Sequence, residues 1–475
     1  MKLPAYPKYK PSGVQWLGDV PEHWGVKRLK TSATCWVSNV DKVPADDELP
    51  IRLCNYTDVY YHDHITPDMG LMETTATTDE IRRFGLREGD VVITKDSEEW
   101  SDIAVPALVK KSAPDLVCGY HLAIIRSRPN LLLGDYLLRA FQACAINQQF
   151  QVAASGVTRY GLPKASIGDA WIPLPAPAEQ RAIAAFLDQE TGRMDRLVAK
   201  KRELIERLKE KRTALISRTV TRGLPPAAAR AAGLAENPPL KPSGLDWLGD
   251  IPKHWEVSKM SRVCTSIRDG THNPPDRAAG IHRLLSVRNV QDGKFALLSD
   301  DRTMTPEDFA ELQRSYTVEE GDIVLAIVGA TTGKSAIVGK LENVTVQRSL
   351  AILRPKKSAI SSSFLHYVIQ SPVVQTEIAL TVFKYSAQPG IYLEDIGRLP
   401  VVRPPLPEQA VIAAYLDAET AKLDALAAKV EEAIERLQEY RTALITAAVT
   451  GKIDVRGSAS PGDSTLPTKK GRVNP

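Results

Sequence analysis

The feature that most constrains this chain is an internal duplication. Residues Lys10–Trp24 (KPSGVQWLGDVPEHW) and Lys241–Trp255 (KPSGLDWLGDIPKHW) are identical at 11 of 15 positions, where unrelated segments would share about one. A second pair, Leu204–Ile216 and Ala433–Ile445, is identical at 10 of 13 positions. The offsets of the two pairs, 231 and 229 residues, agree closely. The chain is therefore read as two copies of one unit.

Between these matched segments the two copies have diverged. Two short similarities remain: Gly89–Ile93 corresponds to Gly321–Leu325, and Ala123–Arg126 corresponds to Ala351–Arg354. Each contains an apolar run of the kind found in buried strands. We therefore predict a mixed α/β (α+β) module of about 150 residues in each copy, with a common scaffold and a different surface.

Each copy is predicted to end in a long helix. In the second copy apolar residues recur every seven positions, at Leu416, Leu423, Val430, Leu437 and Leu444. This spacing, which the first copy shares, is typical of a coiled coil. Prolines before each run prevent the helix from extending backward. We expect the two helices to lie antiparallel and to hold the two modules apart as a pseudo-two-fold tandem repeat; a helix packed only on its own module is the alternative.

These features predict six segments. They are a first module with an N-terminal arm (1–175), a first long spacer helix (176–222), a linker (223–240), a second module (241–403), a second long spacer helix (404–455) and a disordered tail (456–475).

Composition excludes some classes of protein and leaves others open. Hydrophobic residues make up 43% of the chain and charged residues 25%, as in ordinary globular proteins. The longest apolar stretch, around Ile323–Ala330, is far shorter than the roughly 20 residues of a membrane span. The five cysteines, an odd number without a CxxC pair, are typical of free thiols in a reducing cytoplasm. A net charge of +4 is compatible with nucleic-acid binding without requiring it.

One segment resembles a catalytic loop. Gly329–Ser335 (GATTGKS) follows an apolar run, as a phosphate-binding loop does, but it has three residues between the first glycine and the Gly-Lys pair instead of four. No compelling helix follows it. The segment is better explained as a glycine-rich turn that presents Thr331, Thr332 and Lys334 to a polyanion.

Other candidates for chemistry are weaker. His62, Asp63 and His64 lie in a polar stretch without a third metal ligand at a recognised spacing. His23 and His254 occupy the same position of the repeat, and we expect them to dock the N-terminal arm of each copy. Two Asn-Pro-Pro sequences lack the aromatic ring that methyltransferases stack on a flipped base. The sequence predicts neither a catalytic residue nor a metal site.

Together, several sequence features resemble the specificity subunit of type I restriction-modification systems. They are the repeated N-terminal arm, LCNYTDV at Leu53–Val59, DGTH at Asp269–His272, and the proline-rich entries to the two helices at Pro173–Gln180 and Pro404–Gln409. The resemblance extends from about Lys10 to Val455.

This resemblance implies a non-catalytic protein with two target-recognition domains, each reading one half of a bipartite site in double-stranded DNA, with the helices as the ruler between them. It also implies assembly with two methyltransferase subunits and, optionally, with restriction or translocase subunits. S-adenosylmethionine and ATP would belong to those partners and no cofactor to this chain. A P-loop-like NTPase and a tandem scaffold that binds only proteins remain as alternatives.

We expect DNA to be contacted by loops, because the scaffold is shared between the copies and the loops are not. Arg, Lys, Gln, Ser and Thr side chains can bind base edges or phosphates. In the first module the candidates are Lys95, Ser97, Trp100, Ser155, Thr158, Arg159 and Tyr160. The segment Ser155–Tyr160 resembles the Thr-Arg turn of the family. In the second module they are Thr331, Thr332, Lys334, Lys384, Tyr385, Ser386 and Gln388.

Overall fold

The chain divides into two compact units. Unit 1 comprises Met1–Lys201 and Glu432–Pro475, and unit 2 comprises Arg202–Glu431. Because both boundaries fall within a long helix, each long helix contributes one part to each unit. The structure is a computed structural model that describes residues 3–245, 248–291, 293–384 and 390–457, with only the backbone described at 384. The predicted disordered tail, 456–475, lies outside the described residues apart from its first two positions.

Unit 1 contains fourteen strands among its described residues. They are β1 (Tyr9–Pro11), β2 (Asp19–Pro21), β3 (Gly25–Arg28), β4 (Ala33–Val37), β5 (Leu49–Cys54), β6 (His64–Ile65), β7 (Met72–Ala76), β8 (Val91–Thr94), β9 (Asp96–Ser97), β10 (Pro106–Val109), β11 (Leu116–Cys118), β12 (Leu122–Ser127), β13 (Tyr160–Gly161) and β14 (Trp171–Leu174). Its helices are α1 (Tyr56–Tyr61), α2 (Thr78–Phe84), α3 (Gly134–Gln142), α4 (Cys144–Ala153), α5 (Lys164–Asp169) and the start of α6 (Pro177–Arg222).

Two sheets form the centre of unit 1. One has the strand order β4-β12-β8-β10-β6 and the other the order β11-β5-β7. Strand β8 is buried along its whole length, as the apolar run in Gly89–Ile93 predicts, and so is β10. Helix α3 packs on this sheet through buried residues that include Tyr136 and Phe141.

Unit 2 repeats this arrangement. Its strands are β15 (Leu240–Pro242), β16 (Asp250–Pro252), β17 (Glu256–Lys259), β18 (Cys264–Asp269), β19 (His282–Leu285), β20 (Val290–Gln291), β21 (Lys294–Phe295), β22 (Arg302–Met304), β23 (Ile323–Ala326), β24 (Ser335–Ile337), β25 (Val344–Val346), β26 (Leu350–Pro355) and β27 (Pro400–Arg403). Its helices are α7 (Pro226–Ala231), α8 (Met260–Val263), α9 (Pro306–Ser315), α10 (Ser362–Gln370), α11 (Pro372–Lys384), α12 (Leu393–Arg398) and the start of α13 (Leu406–Val449).

The sheets of the two units share most of their topology, although among the described residues the larger sheet has five strands in unit 1 and six in unit 2. The order β18-β26-β23-β24 in unit 2 corresponds to β4-β12-β8-β10 in unit 1, and β25-β19-β22 corresponds to β11-β5-β7. The segment 223–240, predicted as a linker, includes the short helix α7. These findings confirm two copies of one α/β module.

A buried ion pair explains why two short sequence similarities survived the divergence. Arg126 of β12 donates two hydrogen bonds to Asp90, at 2.7 and 2.6 Å, in the turn before β8. Arg354 of β26 binds Asp322 in the same way, with both distances 2.9 Å. Each carboxylate is almost fully buried, and losing its partner would leave an uncompensated charge in the core.

Each long helix begins on its own module. In unit 1 Gln180 is fully buried near the start of α6, and its amide binds the backbone of Leu131, Leu133 and Pro175. Gln409 binds the backbone of Ala359, Ser361 and Pro404 in unit 2. The side-chain amide satisfies backbone groups that a helix entry would otherwise leave unpaired.

Each long helix ends against the other copy's arm. In unit 1 the fully buried Trp24 belongs to the same apolar cluster as Leu444, Ala448 and Val449 of α13. In unit 2 Trp255 belongs to a cluster with Ile216 and Val220 of α6. The tryptophan that the duplication preserves is therefore covered by the helix of the other repeat.

Within each unit the two helix parts run antiparallel, as we expected for the paired helices. In unit 1 Glu179 lies 3.8 Å from Arg456, whereas Asp195, further along α6, lies 3.4 Å from Arg441. In unit 2 Arg212 pairs with Asp424 at 3.1 Å. Among the described residues, no helix has the length and apolar character needed to cross a bilayer.

Candidate nucleic-acid interface

In unit 1 the structure brings the two predicted DNA-contacting segments together. The short strand β9 continues from β8 and pairs antiparallel with β13, so that Ser97 lies opposite Tyr160. The backbone N–H of Leu162 also donates to the carbonyl of Lys95, at 2.8 Å. The segments around Lys95–Ser97 and Ser155–Tyr160 therefore form one surface, although their first residues are 60 positions apart in the sequence.

The second of these segments is a projecting hairpin. Ser155 and Gly161 exchange two backbone hydrogen bonds, of 3.1 and 2.9 Å, which close the loop. At Gly156, where φ is +151°, a Cβ atom would lie 1.9 Å from the Arg159 carbonyl oxygen, so only glycine fits. Thr158 and Arg159 are exposed at the tip, and Arg159 has no ion pair among the described residues. The guanidinium of Arg159 is therefore exposed on the surface and is not held in an ion pair with the described residues.

Lys95 is engaged in an ion pair rather than free. Its Nζ donates to both carboxylate oxygens of Asp96, each at 2.9 Å, and His121 Nδ1 lies 2.5 Å from Asp96 Oδ2. Burial raises the pKa of Asp96, but the hydrogen bonds from Lys95 and His121 outweigh it and leave this pKa below its ordinary value. Asp96 is therefore an ionised, buried carboxylate with two donors.

The other predicted residues of unit 1 differ in exposure. Ser97 is buried, and its hydroxyl accepts a hydrogen bond from the backbone N–H of Glu99 at 3.2 Å. Trp100 is about half exposed, as is Tyr120 beside His121. Exposed aromatic rings of this kind can contact bases or sugars.

Unit 2 uses the same backbone arrangement at this position. Val328 forms an antiparallel bridge with Gly390, and Ile391 donates from its backbone to Ile327, at 3.0 Å. The loop between β23 and β24 carries Thr331, Thr332 and the exposed Lys334. Of the remaining candidates, Lys384 is the last residue of α11, and Tyr385, Ser386 and Gln388 lie outside the described residues.

The Gly329–Ser335 loop does not have the geometry of a phosphate-binding loop. Thr332 donates through both its backbone N–H and its hydroxyl to the Gly329 carbonyl, at 3.1 and 2.7 Å. Lys334 leads into β24, which is paired antiparallel with β23, and not into a helix. A phosphate-binding loop needs a helix N-terminus at that point, so nothing here supports the NTPase alternative.

The histidines of the repeated arm have carboxylate partners that the sequence interpretation missed. His23 Nε2 lies 3.0 Å from Glu179 Oε2, and His254 Nε2 lies 2.8 Å from Glu408 Oε2. Tyr6 also donates to Glu179, at 2.8 Å. The signal was present, because both copies retain both residues at matching positions. These pairs dock each arm on the entry of a long helix.

The His62–His64 segment takes part in an ion-pair network. Asp63 lies 3.4 Å from Arg139 and 3.1 Å from Arg441, and Arg139 donates two hydrogen bonds to Asp188. Within the described parts of the chain, no group of three or more His, Cys, Asp or Glu side chains is arranged to hold a metal ion. The network joins the module of unit 1 to both of its helix parts.

Sequence and structure comparisons agree with this architecture. A sequence model of the family described as type I restriction modification DNA specificity domain matches residues 252–436. The EcoBI specificity subunit of the type I restriction enzyme of Escherichia coli is 27% identical over 313 residues, which cover 65% of this chain and 64% of that protein. The EcoKI specificity subunit of Escherichia coli strain K12 is 22% identical over 340 residues, which cover 70% and 68%.

A solved structure extends the similarity across the fold. A chain from a study of complex assembly and conformational transition of the type I R-M system superposes with a TM-score of 0.64 at 18% identity. The superposition covers 91% of this chain and 99% of that chain. In its duplicated modules, its paired helices and these matches, the chain is similar to the specificity subunits of type I restriction-modification systems.

Proposed function

We propose that this chain is the non-catalytic DNA-recognition subunit of a type I restriction-modification complex. Each of its two target-recognition domains reads one half of a bipartite site in double-stranded DNA. The observation that carries this proposal is the surface built on β9 and β13 in unit 1 and its counterpart around Val328 and Gly390 in unit 2. The backbone hydrogen bonds at this place are the same in both copies, whereas the side chains differ.

This pattern is what recognition of two different half-sites requires. A conserved backbone presents side chains at a fixed place, and base contacts are then set by which side chains stand there. Arg159 in unit 1 and Lys334 in unit 2 are exposed cations on these surfaces. These two side chains supply contacts to phosphates or bases, so the chain as a whole does not need a strongly positive net charge.

The partners follow from the same proposal. Two methyltransferase subunits dock on this chain, bind S-adenosylmethionine and modify the DNA, and restriction or translocase subunits that use ATP join the complex where they are present. This chain itself holds no cofactor and acts in the cytoplasm, without a membrane.

The proposed domains have the boundaries that the sequence predicts. Target-recognition domains extend over 1–175 and 241–403, joined by the linker 223–240. The long helices at 176–222 and 404–455 support them.

The test is exchange of one module. Residues 31–170 are replaced by the corresponding module of another family member, and the chain is co-expressed with its methyltransferase subunits. Mapping methylated adenines across genomic DNA then gives the recognised sequence. We expect one half of the site to change and the other half to stay. A change in both halves, or a wild-type complex that protects no DNA in a footprint, contradicts the proposal.

A further inference from the structure

The two units differ in chemistry at one place where their backbones agree. In unit 1 the backbone N–H of Lys95 donates to the His121 carbonyl at 2.8 Å, and in unit 2 that of Ile327 donates to the Ser349 carbonyl at 3.0 Å. The strands that follow, β12 and β26, are the matched pair of the duplication. His121 and Ser349 are therefore equivalent positions.

The side chains around these positions have nothing in common. Unit 1 has Lys95, Asp96 and His121 in one hydrogen-bonded cluster. Unit 2 has Ile327, Val328 and Ser349, with Ile327 buried and Val328 about half exposed. A charged cluster in one copy thus stands where the other copy has mostly apolar groups, beside the surface that we assign to DNA.

The contact with Asp96 fixes which nitrogen of the His121 ring is left for a hydrogen bond to a ligand. Asp96 is ionised and can only accept, so Nδ1 of His121, which faces Asp96 Oδ2, is the nitrogen that donates to it. In the neutral ring this leaves a lone pair on Nε2. This nitrogen has no hydrogen-bond partner among the described residues, and the side chain of His121 is 26% exposed.

The backbone of His121 is strained in a way that supports a functional role. Its φ is +69°, in the left-handed region that glycine adopts most easily. The ring also packs against the half-exposed Tyr120, with ring centroids 3.8 Å apart. Strained backbone conformations of this kind cluster at functional sites.

We propose that His121, oriented by Asp96, is a specificity-determining residue of unit 1 that accepts a hydrogen bond from the amino group of an adenine or a cytosine. In the major groove only these two bases present an amino donor. Lys95 is a positioning residue, because it neutralises Asp96 and is not free to contact DNA. The inference rests on the proposed DNA-recognition function and names the residue that distinguishes one half-site.

The experiment uses the full chain in complex with its methyltransferase subunits. A duplex DNA library of random sequence is selected for binding, and competition with single-base variants gives the preference at each position. The variants are His121→Gly, Asp96→Asn and, as a matched control in unit 2, Ser349→Ala. Because glycine adopts the left-handed backbone readily, His121→Gly removes the ring without adding backbone strain, and Asp96 keeps its ion pair with Lys95.

We expect His121→Gly and Asp96→Asn each to reduce the preference for the correct base pair over its variants about tenfold, at one A·T or C·G pair of a single half-site. Ser349→Ala leaves that half-site unchanged. A duplex whose adenine or cytosine lacks the amino group at this position binds the wild-type complex about tenfold more weakly and binds His121→Gly as well as the intact duplex does.

Two outcomes contradict the proposals separately. If the wild-type complex selects a bipartite sequence and His121→Gly selects the same sequence with the same preferences, the role of His121 is wrong and the DNA-recognition function stands. If the wild-type complex selects no sequence at all, the proposed function itself is wrong.

Discussion

Arg212 of α6 donates a hydrogen bond to Asp424 of α13, with 3.1 Å between Arg212 Nε and Asp424 Oδ1. The repeat places Arg441 and Asp195 at the equivalent positions, and these two residues pair in unit 1. The duplicated sequence RTALI therefore supplies one arginine for each antiparallel contact.

The Arg212–Asp424 pair is expected to align the helices with little gain in stability. The side chains are 30% and 58% exposed, and solvent screens such pairs. A double-mutant cycle with Arg212→Ala and Asp424→Ala, followed by urea unfolding, should give a coupling free energy below about 1 kcal/mol. It should decrease further at high salt. A coupling of several kcal/mol would show that solvent does not screen this contact.

The glycines that end the two long helices should differ in their tolerance of alanine. Gly451 and Gly223 both have positive φ, +71° and +86°. A Cβ atom at Gly451 would lie 2.3 Å from Pro21 Cδ, whereas at Gly223 the nearest atom, in Trp255, is 3.7 Å away. We expect Gly223→Ala to cost about 1–2 kcal/mol from backbone strain alone and Gly451→Ala to cost about 1–3 kcal/mol more from overpacking. Equal shifts in urea midpoint would contradict this steric explanation.

Gln180 should be far more sensitive to substitution than an exposed glutamine of the same helix. Gln180→Leu leaves the Leu133 N–H and two carbonyls without their partner in the core, so we expect a loss of about 2–4 kcal/mol. Gln189→Leu, on the exposed side of α6, should stay within about 0.5 kcal/mol. Thermal unfolding of the two variants measures the contrast, and Gln409→Leu should repeat the larger loss. A mild effect of Gln180→Leu would mean that water replaces its amide.

Tyr367 should make stability depend on alkaline pH. Burial and the hydrogen bond to Asp417 raise its pKa to about 12. The folded chain therefore keeps the phenol proton where the unfolded chain, with a pKa of about 10, loses it. This contribution is fully present below pH 10 and is lost as the pH rises toward 12. The stability advantage of the wild type over Tyr367→Phe should shrink between pH 9 and about 12 in urea unfolding; a constant difference would contradict it.

Lys334 should contribute to DNA affinity through charge alone. It is exposed and has no ion pair among the residues that the structure describes. In the assembled complex, Lys334→Ala should weaken binding to all sequences similarly and reduce the slope of log affinity against log salt by about one. Lys340→Ala, beyond the other end of β24, is the matched control and should leave the slope unchanged. A change in base preference without a change in slope would instead assign Lys334 to base reading.

The duplication made much of the fold predictable. Because the same apolar runs occur in both copies, the buried strands at β8 and β23 and the two long helices could be read from periodicity. The partnership of His23 with Glu179 was also accessible, since His254 and Glu408 repeat it. The sequence interpretation found no carboxylate partner for either histidine, because Glu179 and Glu408 lie more than 150 positions further along the chain.

Other features were beyond local sequence. Asp96 and His121 are 25 residues apart and meet only because β8 and β12 are neighbours in one sheet. Nothing in the residues around position 121 indicates a left-handed histidine. The covering of Trp24 by α13 depends on tertiary packing between distant segments, which heptad spacing does not specify.

The closing of unit 1 by α13 has a consequence for how the protein is made. Tyr9 donates a hydrogen bond to the Gly451 carbonyl, 442 positions further along the chain. During translation part of the apolar surface of the N-terminal module therefore stays exposed until the ribosome has synthesised α13, near the end of the polypeptide. A chain that terminates before that point has a first module that α13 does not cover. Its exposed apolar surface would be recognised by chaperones and proteases.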